Sequence, residues 1–142
     1  MAGYVATAEI DLEAPPERVW QALTDPVLLK QYAFGADVAS EWQPGATITW
    51  SGEYEGRPYE DHGEIIASDP PRRLEMTHFS PLTGQDDVPE NYHRLVYVLE
   101  PRGTGTRLRL DQDNNPDEKA AEHSAANWQQ VFEGLKKVVD GG

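Results

Sequence analysis

AEIDLEAPPERVWQALTDP, residues 8–26, joins an alternating apolar and polar segment directly to a short amphipathic segment. Ala8, Ile10 and Leu12 alternate with acidic residues, and this period of two is typical of a strand with one buried face. The two prolines that follow cannot continue an interior strand, but proline fits the first turn of a helix. The apolar residues after them recur at the spacing of one helical face. The stretch therefore predicts a fold that begins with a strand followed by a helix.

A second short helix and a series of strands are predicted next. Leu28, Leu29 and Tyr32 share one face of a further helical turn. Alternating segments separated by glycine- and proline-rich turns then indicate antiparallel strands. About six consecutive strands are expected, and the clearest are residues 46–54, 59–68, 72–79, 93–101 and 106–113. Two adjacent isoleucines, Ile65 and Ile66, leave open which face of their strand points inward.

The end of the chain predicts a long helix from about Pro116 to Asp140, which Gly141 and Gly142 end. Its apolar residues fall in a single stripe: Ala121, Ala125, Trp128, Phe132, Leu135 and Val139. A sheet with one apolar face buries that face against such a stripe. We therefore predict one domain over residues 1–142 of the α+β class, a helix-grip arrangement in which a curved antiparallel sheet wraps around the long C-terminal helix. Space between helix and sheet predicts a cavity.

Composition narrows the classes of function. The 142 residues carry a net charge of −13, which repels phosphate backbones and argues against nucleic-acid binding. The absence of cysteine excludes disulfides and thiol catalysis. No basic leader and no stretch of roughly 18 apolar residues indicates export or membrane spanning. We expect a cytoplasmic protein.

Polar residues on the apolar side of the predicted strands are the sharpest site candidates. His78, His93 and Gln112 point toward this side, and Tyr97 lies close by. A few polar groups in an apolar pocket orient a small ligand. The simpler interpretation is that each is hydrogen-bonded to nearby backbone or water. The acidic, proline-rich segment 80–92 is expected to be a loop that overhangs some part of the molecule.

Apolar side chains complete the predicted site. The ligand is expected to contact four of them: Trp50, Met76, Trp128 and Phe132. The alternative is that these side chains are plain core. His62, His78 and His93 lie on three separate strands without the short-range spacing of a metal motif, so no metal and no cofactor are predicted.

The segment order, together with EAPPERVWQALTDP, SDPPRRLEMTH and LEPRGTGTRLRL, resembles the START/Bet v 1-like (SRPBCC) superfamily. Within it, the chain is most similar to the homologues of the activator of the heat-shock-protein-90 ATPase. The resemblance covers essentially the whole chain. The chain differs from the family pattern at Tyr32 and His78, where tryptophan is common. It also lacks the asparagine- and tryptophan-rich motif of the chaperone-stimulating domains.

This resemblance implies a helix-grip domain that encloses an elongated cavity for a lipid, polyketide-like or other hydrophobic molecule. It implies no universal catalytic residue. Three functions follow as hypotheses. The first is a non-catalytic domain that binds a hydrophobic or aromatic small molecule, the second is a polyketide cyclase- or dehydratase-like enzyme that uses His78 or His93, and the third is a co-chaperone-like module that stimulates a heat-shock ATPase partner.

Overall fold

A computed structural model describes residues 2–140. The predicted closure of the last helix by Gly141 and Gly142 lies outside the described residues. Two short 3₁₀ helices, Pro81–Thr83 and Pro89–Asn91, interrupt the predicted loop. The helices are α1 (Pro16–Thr24), α2 (Pro26–Tyr32) and α3 (Glu118–Asp140), and the strands are β1 (Tyr4–Leu12), β2 (Asp37–Ser40), β3 (Thr47–Tyr54), β4 (Arg57–Asp69), β5 (Arg73–His78), β6 (His93–Arg102) and β7 (Gly105–Asn115).

The strands form one seven-stranded antiparallel sheet in the order β1-β7-β6-β5-β4-β3-β2. The long α3 packs against β1, β7, α1 and α2, so that it lies along the concave face of the sheet. This arrangement confirms the predicted α+β helix-grip class. The short β2 pairs with β3 and was not delimited by the sequence pattern, because four residues are too few to establish a period.

Helix α3 begins two residues later than predicted. Strand β7 continues to Asn115, and the carboxylate of Asp117 accepts a hydrogen bond from the Ala120 N–H at 2.7 Å. An aspartate in this position caps the helix from outside its first turn. The buried residues of α3 are Ala121, Val131, Phe132 and Leu135. Gly134 brings α3 close to α2, because a Cβ there would lie 3.0 Å from Cβ of Tyr32.

The far end of α3 fastens the junction between β1 and α1. Both carboxylate oxygens of Asp140 accept hydrogen bonds from this junction, from the Glu13 N–H at 2.9 Å and the Ala14 N–H at 3.0 Å. The Lys136 ammonium contacts the same carboxylate at 2.9 Å. The Asp140 side chain is only 8% exposed, so α3 and the start of α1 are held together by a largely buried carboxylate.

Strand β4 pairs with β3 on one side and with β5 on the other. Its first part pairs with β3 as far as Glu64, and its second part pairs with β5 from Ile65. A Cβ on Gly63 would lie 1.8 Å from the carbonyl oxygen of Thr77, so only glycine allows this approach. A β-bulge lies at Ile66, between the paired residues Ile65 and Ala67. Ile65 is fully buried whereas Ile66 is 39% exposed, which settles the face that the sequence left open.

None of the helices in the described part of the chain combines the length and apolar character needed to cross a bilayer.

Candidate functional site

A cavity of about 440 Å³ lies between the concave face of the sheet, α2 and α3. Aromatic rings from both layers form much of its wall: Trp50 from β3, Tyr97 from β6, and Trp128 and Phe132 from α3. The rings of Tyr97 and Trp128 meet edge to face, with centroids 6.1 Å apart. Volumes of 300–1,000 Å³ and mostly apolar walls are typical of small-molecule sites.

The structure brings most of the predicted site residues together around this cavity. Met76 does not line it, because Met76 is 2% exposed and packs in the core opposite Ile65 and Leu95. The other predicted residues are in the lining: Trp50, His78, His93, Tyr97, Gln112, Trp128 and Phe132. Regular alternation along β5, β6 and β7 accounts for this agreement, since it places their inward polar residues on the same face as the apolar ones.

Asp61 is the main residue that the sequence analysis missed. It lines the cavity, and its Oδ2 accepts a hydrogen bond from Nε2 of His78 at 2.9 Å. The two side chains are 15% and 24% exposed, respectively, so the pair is largely shielded from water. The other carboxylate oxygen of Asp61, Oδ1, is buried and has no hydrogen-bond partner among residues 2–140.

A register argument identifies Asp61 as inward-facing once the sheet is known. Trp50 and Asp61 are directly opposite each other on β3 and β4. Side chains of opposite residues in an antiparallel pair point to the same side of the sheet. Since Trp50 faces the cavity, Asp61 does as well, and its neighbour His62 faces away. The missing signal was therefore the pairing of β3 with β4.

The two cavity histidines lie side by side. His78 and His93 are opposite residues on β5 and β6, and their rings are stacked with centroids 6.2 Å apart. Nδ1 of His93 donates to the backbone carbonyl of Asp113 at 2.8 Å. The ring of Trp50 meets that of His78 edge to face at 4.8 Å. These contacts hold both imidazole rings in place on the sheet side of the cavity.

Gln112 connects the sheet to α3. Nε1 of Trp128 donates to Oε1 of Gln112 at 2.6 Å, and because an indole nitrogen only donates, the amide must present its oxygen to Trp128. The amide nitrogen of Gln112 is thereby left on the side away from this bond. Burial raises the pKa of Tyr97 well above its ordinary value, so its hydroxyl keeps its proton. The cavity thus combines two imidazoles with donor groups on an aromatic wall.

Two further tyrosines contribute to the lining. Burial raises the pKa of Tyr32, and its hydroxyl donates to the Ala22 carbonyl at 2.6 Å, which ties α2 to α1. Burial, followed by the charges of Asp61 and Asp37, raises the pKa of Tyr59. Both tyrosines therefore remain neutral through the physiological pH range.

The segment from Ser80 to Tyr92 passes beside the cavity and contributes to it Ser80, Thr83 and Asn91. A surface cluster anchors this segment to β4: His62 Nε2 lies 2.9 Å from Asp87 and 3.0 Å from the Tyr92 hydroxyl. The hydrogen bond between the Tyr92 hydroxyl and Asp87 lowers the pKa of Asp87 and raises that of Tyr92 to about 12. His62 is thus engaged outside the cavity. Across residues 2–140, no three histidine, aspartate or glutamate side chains are placed to hold one metal ion.

Comparison with solved structures identifies relatives over nearly the full length of the chain. Protein ChR145 from Cytophaga hutchinsonii is 42% identical, with a TM-score of 0.87 over 99% of this chain and 97% of that one. The Aha1 dimer from Colwellia psychrerythraea gives 20% identity and a TM-score of 0.73 over 96% of each chain. Ara h 8.0201 gives 14% identity and a TM-score of 0.76 over 98% and 99%, a likeness that concerns the Bet v 1-like fold alone.

No curated protein gave a significant sequence match. The family model described as "Activator of Hsp90 ATPase homolog 1-like protein" matches residues 13–140. This match confirms the resemblance drawn from the sequence motifs, and it extends from the end of β1 to the end of α3. The chain therefore belongs to the family of Activator of Hsp90 ATPase homolog 1-like proteins.

Proposed function

We propose that this protein binds a small, mainly aromatic or aliphatic molecule in the cavity between the sheet and α3. The observation that supports the proposal is the cavity itself, with a volume of about 440 Å³ and walls that include Trp50, Tyr97, Trp128 and Phe132. Folds of this Bet v 1-like type commonly bind hydrophobic ligands. Each 100 Å² of apolar ligand surface removed from water contributes about 2.5 kcal/mol before ordering costs are subtracted.

The polar groups of the cavity would orient such a ligand. His78, His93, Tyr97 and Gln112 all lie on the sheet side, whereas the α3 side is largely apolar. A ligand with one polar end would place that end against the strands and its apolar body under α3. Met76 is not part of this proposal, because it packs in the core away from the lining.

Thermal unfolding with a set of neutral aromatic compounds tests the proposal. A compound that binds the folded state raises the unfolding temperature in a concentration-dependent way. Asn127→Trp places a large ring at the solvent-exposed edge of the cavity, because Asn127 lines the cavity and is exposed. Ala126→Trp is the matched control, since Ala126 is an exposed neighbour on α3 outside the lining.

The proposal predicts that at least one compound stabilises the wild type and the Ala126→Trp variant by several degrees but not the Asn127→Trp variant. A library that gives no shift with any compound contradicts it. An equal shift in both tryptophan variants contradicts the cavity as the binding place.

A second candidate, stimulation of a heat-shock ATPase partner, is favoured by membership of the Activator of Hsp90 ATPase homolog 1-like family. Under this hypothesis the outer surface, rather than the cavity, carries the function. The ATPase rate of an Hsp90 chaperone would then rise on addition of the wild type and equally with Asn127→Trp. An unchanged ATPase rate at saturating concentration eliminates this candidate.

A further inference from the structure

We propose that Asp61 and His78 form a general-base pair that removes a proton from a carbon acid bound in the cavity, with His78 as the catalytic residue and Asp61 as its positioning residue. This inference rests on the proposed function only in requiring that a ligand enters the cavity. It adds an activity, proton transfer to and from carbon, to binding. The substrate class is a largely apolar β,γ-unsaturated carbonyl compound, which has an acidic C–H group between the carbonyl and the double bond.

The hydrogen bond between the two side chains determines which nitrogen acts. A carboxylate can only accept, so Nε2 of His78 carries the proton of its 2.9 Å bond to Asp61. In the neutral ring, Nδ1 then holds the lone pair, and His78 lines the cavity. When Nδ1 takes up a proton, the adjacent carboxylate stabilises the positive charge of the ring. His78 is thus a general base whose ring is oriented by a second side chain, the carboxylate of Asp61.

The position of the pair favours chemistry over a purely structural role. His62 and Asp87 make a second histidine–aspartate pair of the same 2.9 Å length, but those side chains are 34% and 51% exposed and His62 lies outside the cavity lining. The Asp61–His78 pair is shielded, lines the cavity, and leaves Oδ1 of Asp61 buried without a partner among the described residues. A buried unpaired acceptor destabilises the fold, and a catalytic role is one of the reasons for which a protein retains such a group.

Donor groups for a substrate oxygen lie on the same wall. Tyr97 and Gln112 both line the cavity, and the Tyr97 phenol keeps its proton because burial raises its pKa. Gln112 is directly opposite Leu95, between the positions of His93 and Tyr97 along β6. A carbonyl oxygen that accepts from these groups would be polarised, which acidifies the C–H bonds next to the carbonyl.

The reaction that fits is an isomerisation, and it requires no cofactor. Nδ1 of His78 accepts the proton, the electron pair of the C–H bond forms a carbon–carbon double bond, and the carbonyl oxygen carries the resulting negative charge. With a β,γ-unsaturated carbonyl compound as substrate, the resulting dienolate takes the proton back from the imidazolium at its γ carbon, the carbonyl re-forms, and the double bond then lies between the α and β carbons. The net change moves one hydrogen and one double bond within the substrate.

Turnover of 5-nitrobenzisoxazole tests the base directly. In this planar probe, Nδ1 would take the ring C–H proton, the C–H electron pair would complete a nitrile, and the N–O bond would break to give a coloured phenolate. The imidazolium then loses its proton to water. A positioned base contributes about 10²–10⁴-fold to such a step, so we expect a kcat/KM at least about 100-fold above the second-order constant of free imidazole.

Variants separate the proposed base from alternatives. We expect His78→Gln to abolish the excess rate and Asp61→Asn to lower kcat about tenfold or more with KM within about twofold, because Asp61 acts on His78 and not on binding. His62→Gln is the matched control and should keep the full rate. The double variant Asp61→Leu/His78→Phe removes the base while filling the same space, and it should bind the probe without converting it.

A wild-type rate no greater than that of free imidazole overturns the proposal, as does full activity in His78→Gln. Equal losses in His78→Gln and His62→Gln also overturn it. Binding of the probe is measured independently by its shift of the unfolding temperature. A shift without turnover contradicts the base and leaves the binding proposal intact, whereas neither shift nor turnover contradicts both for this class of molecule.

Discussion

Asp61 places a carboxylate in a cavity that is otherwise mainly aromatic and aliphatic. One of its oxygens is bonded to His78 and the other is buried and unpaired within the described residues. Taking a charged group out of water costs several kcal/mol, and one hydrogen bond does not recover all of it. The pair is therefore expected to lower the stability of the fold relative to apolar side chains of similar size.

Replacing both residues tests this expectation. We predict that Asp61→Leu/His78→Phe is as stable as the wild type or up to about 2 kcal/mol more stable, since buried ion pairs are often neutral or unfavourable relative to well-packed apolar groups. Asp61→Leu alone leaves the Nε2–H group of His78 without its acceptor and should cost about 1–3 kcal/mol. Urea unfolding of the three proteins measures the difference. A double variant that is less stable than Asp61→Leu alone contradicts the argument.

At the scale of elements, Gly63 controls how closely β4 approaches β5, and this approach sets Asp61 beside His78. We predict that Gly63→Ala destabilises the protein by about 3 kcal/mol or more, because its Cβ would lie 1.8 Å from the Thr77 carbonyl oxygen, which belongs to the backbone. Gly134→Ala is the control. Its added Cβ would lie 3.0 Å from Cβ of Tyr32, and alanine is favoured over glycine in a helix by about 1 kcal/mol. Similar unfolding midpoints for both variants would show that β4 moves freely.

Helix α3 and the β1–α1 junction are coupled through Asp140. Burial favours the neutral acid, but the N–H group of Glu13, the Lys136 ammonium and the N–H group of Ala14 together lower the pKa of Asp140 below its ordinary value of 3.8. A lowered pKa in the folded state means that the unfolded chain binds more protons as the solution is acidified. The stabilisation from Asp140 is therefore complete above about pH 5 and is lost as the pH falls through the folded-state pKa.

We predict that Asp140→Asn lowers the free energy of unfolding by about 1–3 kcal/mol at pH 7, because charge-assisted hydrogen bonds to two backbone donors are weakened. The difference from the wild type should shrink steadily below about pH 4, where the wild-type carboxylate takes up its proton. Denaturant unfolding at a series of pH values measures it. A difference that stays constant down to pH 2.5 would show that the charge of Asp140 is not involved.

The regularity of each strand decided how much of the site could be predicted from the sequence. Strands β5, β6 and β7 alternate without interruption near the site, so His78, His93 and Gln112 were predicted on the inward face, and the structure places them in the cavity lining. Asp61 escaped prediction because the adjacent Ile65 and Ile66 left the inward face of β4 open, and the pairing of Asp61 with Trp50 of β3 is visible only in the folded sheet. Met76 shares the face of His78, but alternation predicts only the face on which a side chain lies. It does not predict whether that side chain reaches the cavity or packs in the core beside it.

For the molecule as a whole, the net charge of −13 and the residues that line the cavity both disfavour an anionic ligand. No lysine or arginine occurs among the cavity-lining residues of the described chain, and Asp61 adds a negative charge there. A carboxylate ligand would be repelled by the field of the protein and would lack a full cationic partner.

We predict that a neutral ligand binds more tightly than its anionic analogue. For 1-naphthol against 1-naphthoate at pH 7, the expected ratio of dissociation constants is about tenfold or more, since an unpaired buried charge costs more than 1.4 kcal/mol. Calorimetric titration measures both constants. Tighter binding of 1-naphthoate would contradict this electrostatic argument.

The pairing of β1 with β7 joins segments that are far apart in the chain, as in the contact of Leu12 with Thr106. During synthesis on the ribosome, β1 leaves the exit tunnel long before its partner strand β7 has been made. The hydrogen bonds from the β1–α1 junction to the carboxylate of Asp140 form later still, because Asp140 is at the end of α3. Contacts of such long sequence separation slow folding. The cavity can therefore close only when translation of α3 is nearly complete, and a nascent chain halted before β7 would expose β1 to nascent-chain chaperones.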